Sequence, residues 1–164
     1  MADLLNKIKQ KAKDILPDII LLRRHLHIHP ELSFQEKKTA EFICKKLDEV
    51  GIVYTSGWAG TGIVAEIPGR CSEKVVALRA DMDALPIQEE NNKSYISVNQ
   101  GIMHACGHDV HMASMLGVAI ILNSLKNELA DTVRIIFQPG EEKLPGGASM
   151  MIKEGVLRNP EPIC

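Results

Sequence analysis

Residues 62–83 read GIVAEIPGRCSEKVVALRADMD, and the way this stretch is punctuated decides the fold class. Gly62 to Ile67 and Val75 to Ala80 are β-branched-rich runs with the composition of strands, and Pro68-Gly69 supplies the turn between them. A similar run precedes them at Ile52 to Thr55, and a fourth, Val133 to Phe137, ends in Gln138-Pro139 as a buried strand. Around these runs the period is helical. Ile8, Ala12, Ile15, Ile19, Leu22 and Leu26 recur at threes and fours. Pro17 interrupts that series, which predicts a kink or a second helix starting near it, and Pro30 ends the unit. Ser33 with Glu36 three residues on has the capping-box pattern for a helix that buries Ala40, Ile43, Leu47 and Val50 and stops at Gly51. His108 to Leu125 returns to helical spacing through Met112, Met115, Leu116, Ala119 and Leu122, and Ala148 to Glu154 forms a short helix before Gly155. The polar segment Gln88 to Gln100 is expected as loop, with a short strand near Tyr95 to Val98. Strands alternating with helices indicate an α/β fold with helices on both faces of a mixed sheet.

Composition narrows the function classes. The 164 residues carry 19 Lys and Arg against 21 Asp and Glu, and 45% are apolar, an ordinary balance for a globular chain. A near-neutral charge without a basic block argues against nucleic acid as a partner. No run of about 18 apolar residues is present to span a membrane, and residues 1–16 interleave Lys with Leu and Ile rather than forming a secretory signal. Four cysteines, Cys44, Cys71, Cys106 and Cys164, do not make a disulfide framework at this length, so the expected location is the cytoplasm.

Three places concentrate chemistry, and all lie where strands end, which is where α/β sheets bind ligands. Asp81 and Asp83 leave a valine-rich strand and run into Pro86; an Asp-x-Asp alone is more often a polar turn. His104, Cys106, His108, Asp109 and His111 crowd into eight positions. A thiolate and an imidazole two residues apart can face one ion if the glycine between them, Gly107, permits a sharp turn. The helix start there favours the thiolate and Asp109. With a carboxylate, Cys106 and His108 form a donor set suited to Zn²⁺ and tolerable for Mn²⁺. Glu141 and Glu142 follow a buried strand, and such a pair can divide labour, one holding a cation and its neighbour moving protons. His25, His27 and His29 are read as structural or surface residues, because His25 and His29 share a helix face and His27 points elsewhere. Cys44 is read as packing, and Met112, Met115, Met150 and Met151 as core.

Taken together, the stretches LRRHLHIHPELSFQE, ALRADMDALPI, MHACGHDVHMASMLG and FQPGEEKLPGGASMMIKEGVL resemble the aminoacylase, hippurate hydrolase and auxin-conjugate hydrolase group of dinuclear metallopeptidases. They run in that family's order from Leu22 onward. The resemblance implies a zinc-peptidase-like catalytic domain in which Cys106, His108 and Glu142 are metal ligands, Glu141 is the general base, and Asp83, with Asp81, supports the site. It implies two divalent ions, Zn²⁺ or Mn²⁺, and hydrolysis of an N-acyl amino acid to a carboxylate and a free amino acid. After Glu142 the sequence Lys143-Leu-Pro-Gly-Gly replaces the glycine run of many relatives, which alters a loop beside the site.

Members of that group are more than twice as long, with a lid domain that also dimerises and two further ligand histidines. Residues 1–164 are therefore expected to be the N-terminal part of a catalytic domain, incomplete and inactive alone, from a protein that is a homodimer at full length. Ile135-Ile136-Phe137 is expected in a sheet finished by strands from elsewhere, leaving an association-prone edge. Two other readings compete: a truncated, non-catalytic metal-binding remnant or interaction module, and a redox thiol at Cys106. The intact Glu141-Glu142 pair weighs against the first, since a remnant has no need of it.

Overall fold

A computed structural model describes residues 2–71 and 74–163; Cys164 lies outside them. Helix α1 (Ala2–Ile28) leads into α2 (Lys37–Glu49), followed by β1 (Val53–Trp58), β2 (Gly62–Ile67), β3 (Val75–Asp81), α3 (His108–Ser124), β4 (Thr132–Gln138) and α4 (Gly147–Glu154). The four strands form one mixed sheet in the order β1-β2-β4-β3. β1 and β2 are antiparallel, as are β2 and β4, whereas β3 and β4 run parallel through the α3 crossover. β4 is thus inserted between β2 and β3, and the turn at Pro68-Gly69 joins strands that are not neighbours. The parallel register sets Asp81 beside Gln138, so the segments leaving β3 and β4 emerge side by side.

Alternation along the strands sends side chains to two faces. Ile63, Ala65 and Ile67 of β2 and Ile135 and Phe137 of β4 pack under α2 and α3 with Leu26, Ile43, Leu47, Met112 and Leu116. Val64 and Ile136 face the other way, against Met151 of α4 and Val156. Helices therefore cover both faces. A fully buried residue such as Phe137 contributes about 1.5–3 kcal/mol. The expected exposed edge at Ile135-Ile136-Phe137 does not exist, because β4 is an inner strand and all three residues are buried. No helix among the described residues is long and apolar enough to cross a membrane.

Other local expectations also change. α1 is one continuous helix through Pro17, which sits on its solvent side; the bond lost there leaves the carbonyl four residues earlier to water. Ala12 is exposed, and the buried line follows Ile15, Ile19, Leu22 and Leu26 toward α3, where Gly117 admits Ile19 closely. Gly51, at φ +66°, closes α2: its N–H reaches Asp48 and that of Ile52 reaches Leu47, a Schellman arrangement. Ser33 and Glu36 form no capping box. α2 starts at Lys37 without a side-chain cap from Glu36, and the Glu31 carboxylate accepts the N–H of Thr39 at 2.8 Å instead. No strand forms at Tyr95 to Val98; the N–H of Val98 bonds the carbonyl of Ile28 at the end of α1, away from the sheet.

Candidate metal centre

Two chain segments leave the sheet together, and a third closes on them from the start of α3. Gly107, at φ +87°, makes the left-handed turn that separates Cys106 from His108, the first residue of α3. His108 is buried, and its Nδ1 lies 2.8 Å from the carbonyl oxygen of Asp83. A carbonyl only accepts, so Nδ1 carries the proton and Nε2 keeps its lone pair. Nε2 lies 3.8 Å from Oε1 of Glu142 and 3.6 Å from Oδ2 of Asp81. One donor atom each from Cys106, His108 and Glu142 lies within 4.8 Å of the others. Atoms about 2.0–2.3 Å from a common cation sit at most roughly 4.6 Å apart, so a small side-chain adjustment suffices. Sulfur, imidazole and carboxylate together fit a borderline divalent ion.

The electrostatics favour a cation. The Glu142 carboxylate facing Cys106, then burial and the charges of Glu142, Glu141 and Asp81, push the exposed thiol up from its ordinary value. The helix dipole expected to favour the thiolate is overruled, because it offers only about 0.3–1 kcal/mol against three carboxylates. A divalent ion inverts that balance. Burial lowers the His108 pKa, but the Asp83 and Asp81 carboxylates outweigh it and raise the net value. Burial likewise acts upward on Asp83. Bonds from the His108 imidazole, the Ser33 hydroxyl and the Glu142 and Glu141 N–H groups prevail, holding it well below the usual carboxylate range.

Asp83 is thus an organiser. Its Oδ2 accepts the Ser33 hydroxyl at 2.6 Å and the Glu142 N–H at 2.9 Å, while Oδ1 lies 3.3 Å from Nδ1 of His108. Glu141 is exposed on the same turn, and its carboxylate belongs to neither donor group. A second group joins Asp81, His108 and His111. Nδ1 of His111 is 2.5 Å from Asp81 Oδ1, and Arg79 pairs with Asp81 Oδ2 at 3.0 Å. Because His108 has only Nε2 free, it serves one group at a time, and Asp81 is already engaged. The Cys106 set is the better donor set. The pairing of His111 with Asp81 was missed from sequence; the three-residue step from His108, one turn along the same helix face, was the available signal.

Of the N-terminal histidines, His25 and His29 share a face, with ring centroids 4.8 Å apart. His27 is buried between two acids, 2.6 Å from Asp109 and 3.0 Å from Glu89, and Arg23 also meets Asp109 at 2.9 Å. This network ties α1 to the first turn of α3, next to His108. His104 is also buried; burial lowers its pKa to about 4, and neither ring nitrogen has a partner among the described residues. Cys44 packs against the main core, whereas Cys71 is exposed.

Residues 77–163, more than half of the chain, match peptidase family M20/M25/M40. An N-acyl-L-amino acid amidohydrolase of Geobacillus stearothermophilus is 48% identical over 151 residues, spanning 92% of this chain and 41% of the relative. IAA-amino acid hydrolase ILR1-like 2 of Arabidopsis thaliana is 44% identical over 93% of this chain and 34% of its own length. A crystal structure of a Bacillus subtilis protein, described as a dinuclear metal binding peptidase from the M20 family, superposes with a TM-score of 0.84 at 49% identity, covering 88% of this chain and 41% of that one. The chain spans about two fifths or less of the length of these relatives.

Proposed function

The chain belongs to peptidase family M20/M25/M40, and from that premise we propose that it supplies the metal-binding and proton-transfer residues of an amidohydrolase acting on N-acyl amino acids or similar amide conjugates. The observation that carries this reading is the convergence of Cys106, His108 and Glu142 where the chain leaves β3 and β4, with His108 Nε2 left free by the Asp83 carbonyl. The amidohydrolase names of the relatives from Geobacillus and Arabidopsis support the substrate class.

In this reading Cys106, His108 and Glu142 hold a divalent cation. A second ion, in line with the dinuclear description of the Bacillus subtilis neighbour, draws on residues outside these 164. Zn²⁺ and Mn²⁺ suit the donors. Bound there, the cation supplies Lewis acidity toward a water and an amide carbonyl. Glu141, exposed beside the ligand Glu142, takes the proton from the attacking water and passes it to the departing amine. Asp83 holds the imidazole of His108 and the backbone of Glu142, so ligands from two segments keep one geometry. An open depression of about 220 Å³ adjoins Glu142, where Ser33, Gln35 and Lys143 line it beside Leu32, Ala84, Leu85 and Pro86, and in this reading it takes part of the substrate. In this reading residues 1–164 correspond to the N-terminal part of the catalytic domain.

Replacing Glu141 by Gln in the protein as its own cell makes it tests the assignment. Metal content should be kept, while hydrolysis of N-acetyl amino acids should fall by about 10²–10⁴-fold. Undiminished turnover would remove Glu141 as the base, and a wild-type protein without hydrolytic activity would leave metal binding as its function.

A further inference from the structure

We propose that Glu36 is a positioning residue for the Glu141–Glu142 turn: its buried carboxylate captures the N–H of Gly140 and thereby sets where Glu142 is presented to His108 and Cys106. The inference rests on the reading that Glu142 is a metal ligand.

Glu36 lies 104 residues before Gly140, just ahead of α2, and is fully buried. Oε1 accepts the Gly140 N–H at 2.8 Å, and Oε2 accepts the Thr61 hydroxyl at 2.8 Å. No basic side chain among the described residues pairs with it, and burial pushes its carboxyl upward. A carboxylate at that depth without a cationic partner is unfavourable unless hydrogen bonds hold it. The helix beside it does not use it, since its side chain makes no capping bond.

Its neighbours act on the same turn. The Phe34 ring occupies the space that a Cβ on Gly140 would need, and Gly140 itself sits at φ +54°. Phe34 holds a left-handed backbone at φ 64°, unusual for an aromatic residue, and such strain persists only where surrounding contacts impose it. Ser33 acts one step removed, through Asp83, whose Oδ2 also takes the Glu142 N–H. Two carboxylates, Glu36 and Asp83, therefore grip the N–H groups at positions 140 and 142. The backbone between them has little freedom, and Glu142 leaves it at a defined angle. Residues 33–36, which have the spacing of a helix cap, form a clamp on a turn more than 100 residues away.

Cobalt(II) is the probe, because a cobalt ion bound to Cys106 gives a thiolate-to-cobalt charge-transfer absorption independent of catalysis. The unaltered protein, Glu36→Ala, Glu36→Asp, Glu36→Gln and Thr61→Val are titrated with Co²⁺, and each is melted without metal. Glu36→Ala and Glu36→Asp, whose acceptor is absent or drawn back, should bind Co²⁺ about 10–100-fold more weakly. Glu36→Gln, which keeps an acceptor oxygen for Gly140, should restore affinity to within a few-fold. Thr61→Val loses the other bond to Glu36 and should lower the melting temperature without that loss of affinity. Unchanged affinity in Glu36→Asp, or in a folded Glu36→Ala, overturns the proposal, as does an affinity loss in Thr61→Val equal to that in Glu36→Asp. If Glu36→Ala does not fold, the Asp and Gln variants decide. Absence of the absorption in the unaltered protein overturns the metal reading and this inference with it; an unweakened affinity in every variant overturns only the inference.

Discussion

Asp83 and Glu142 are 59 residues apart in the chain, yet Oδ2 of Asp83 accepts the backbone N–H of Glu142 at 2.9 Å. The carbonyl of the same aspartate takes Nδ1–H of His108 at 2.8 Å, so one residue orients the proposed ligands from two segments. Asp83→Asn can keep one acceptor oxygen for Ser33 and Glu142, but it removes the charge and puts an amide N–H toward Nδ1–H of His108. It should cost about 1–3 kcal/mol of stability and about 10–100-fold in Zn²⁺ affinity. Denaturant melts and competitive zinc titration check both, and a variant with wild-type affinity would count against the organising role.

Cys106 and Cys71 are both exposed, but only Cys106 faces Glu142. Because those carboxylates keep its thiol protonated, alkylation of Cys106 at pH 7 should be slow and should accelerate as pH rises. Saturating Zn²⁺ should block Cys106 while Cys71 continues to react. Peptide mass spectrometry separates the two, and labelling of Cys106 that ignores zinc would argue that it is no ligand.

His104 gives a pH signature. Burial lowers its pKa from 6.5 to about 4, so between those values the unfolded chain binds a proton that the folded chain does not. By linkage, the contribution of this imidazole is complete above pH 6.5 and declines as pH falls toward 4, by roughly 3 kcal/mol in total. His104→Phe removes that dependence and leaves no bond within the described residues unmade. Melts at several pH values should show wild type losing more on acidification than the variant; parallel curves would contradict the buried neutral imidazole.

Two glycines should respond differently to alanine. At Gly51 a Cβ meets nothing, so Gly51→Ala should cost only the left-handed backbone, about 1–2 kcal/mol. At Gly140 the Cβ runs into the Phe34 ring. Gly140→Ala should therefore be the more destabilising and should also weaken Zn²⁺ binding, whereas Gly51→Ala should leave that binding intact.

Much of the architecture was legible in the amino-acid order because its causes are local. The helical spacing of Ile43 and Leu47, the stop at Gly51, the β-branched run of β2 and the glycine between Cys106 and His108 each act over a few residues, and each has the expected backbone form. What a polar side chain touches was not legible. Ser33 and Glu36 have cap spacing, but their partners are Asp83 and Gly140. His27 was placed correctly off the His25–His29 face, yet its acids, Glu89 and Asp109, come from 62 and 82 residues away. Sequence alone determined the elements, since periodicity, turns and helix ends depend on neighbours in the chain. Only the tertiary structure decided that β4 enters between β2 and β3 and sets the ends of β3 and β4 side by side. A buried hydrogen-bonding group must find a partner, and which partner lies in reach depends on the order in which strands assemble, a property no short window of sequence contains.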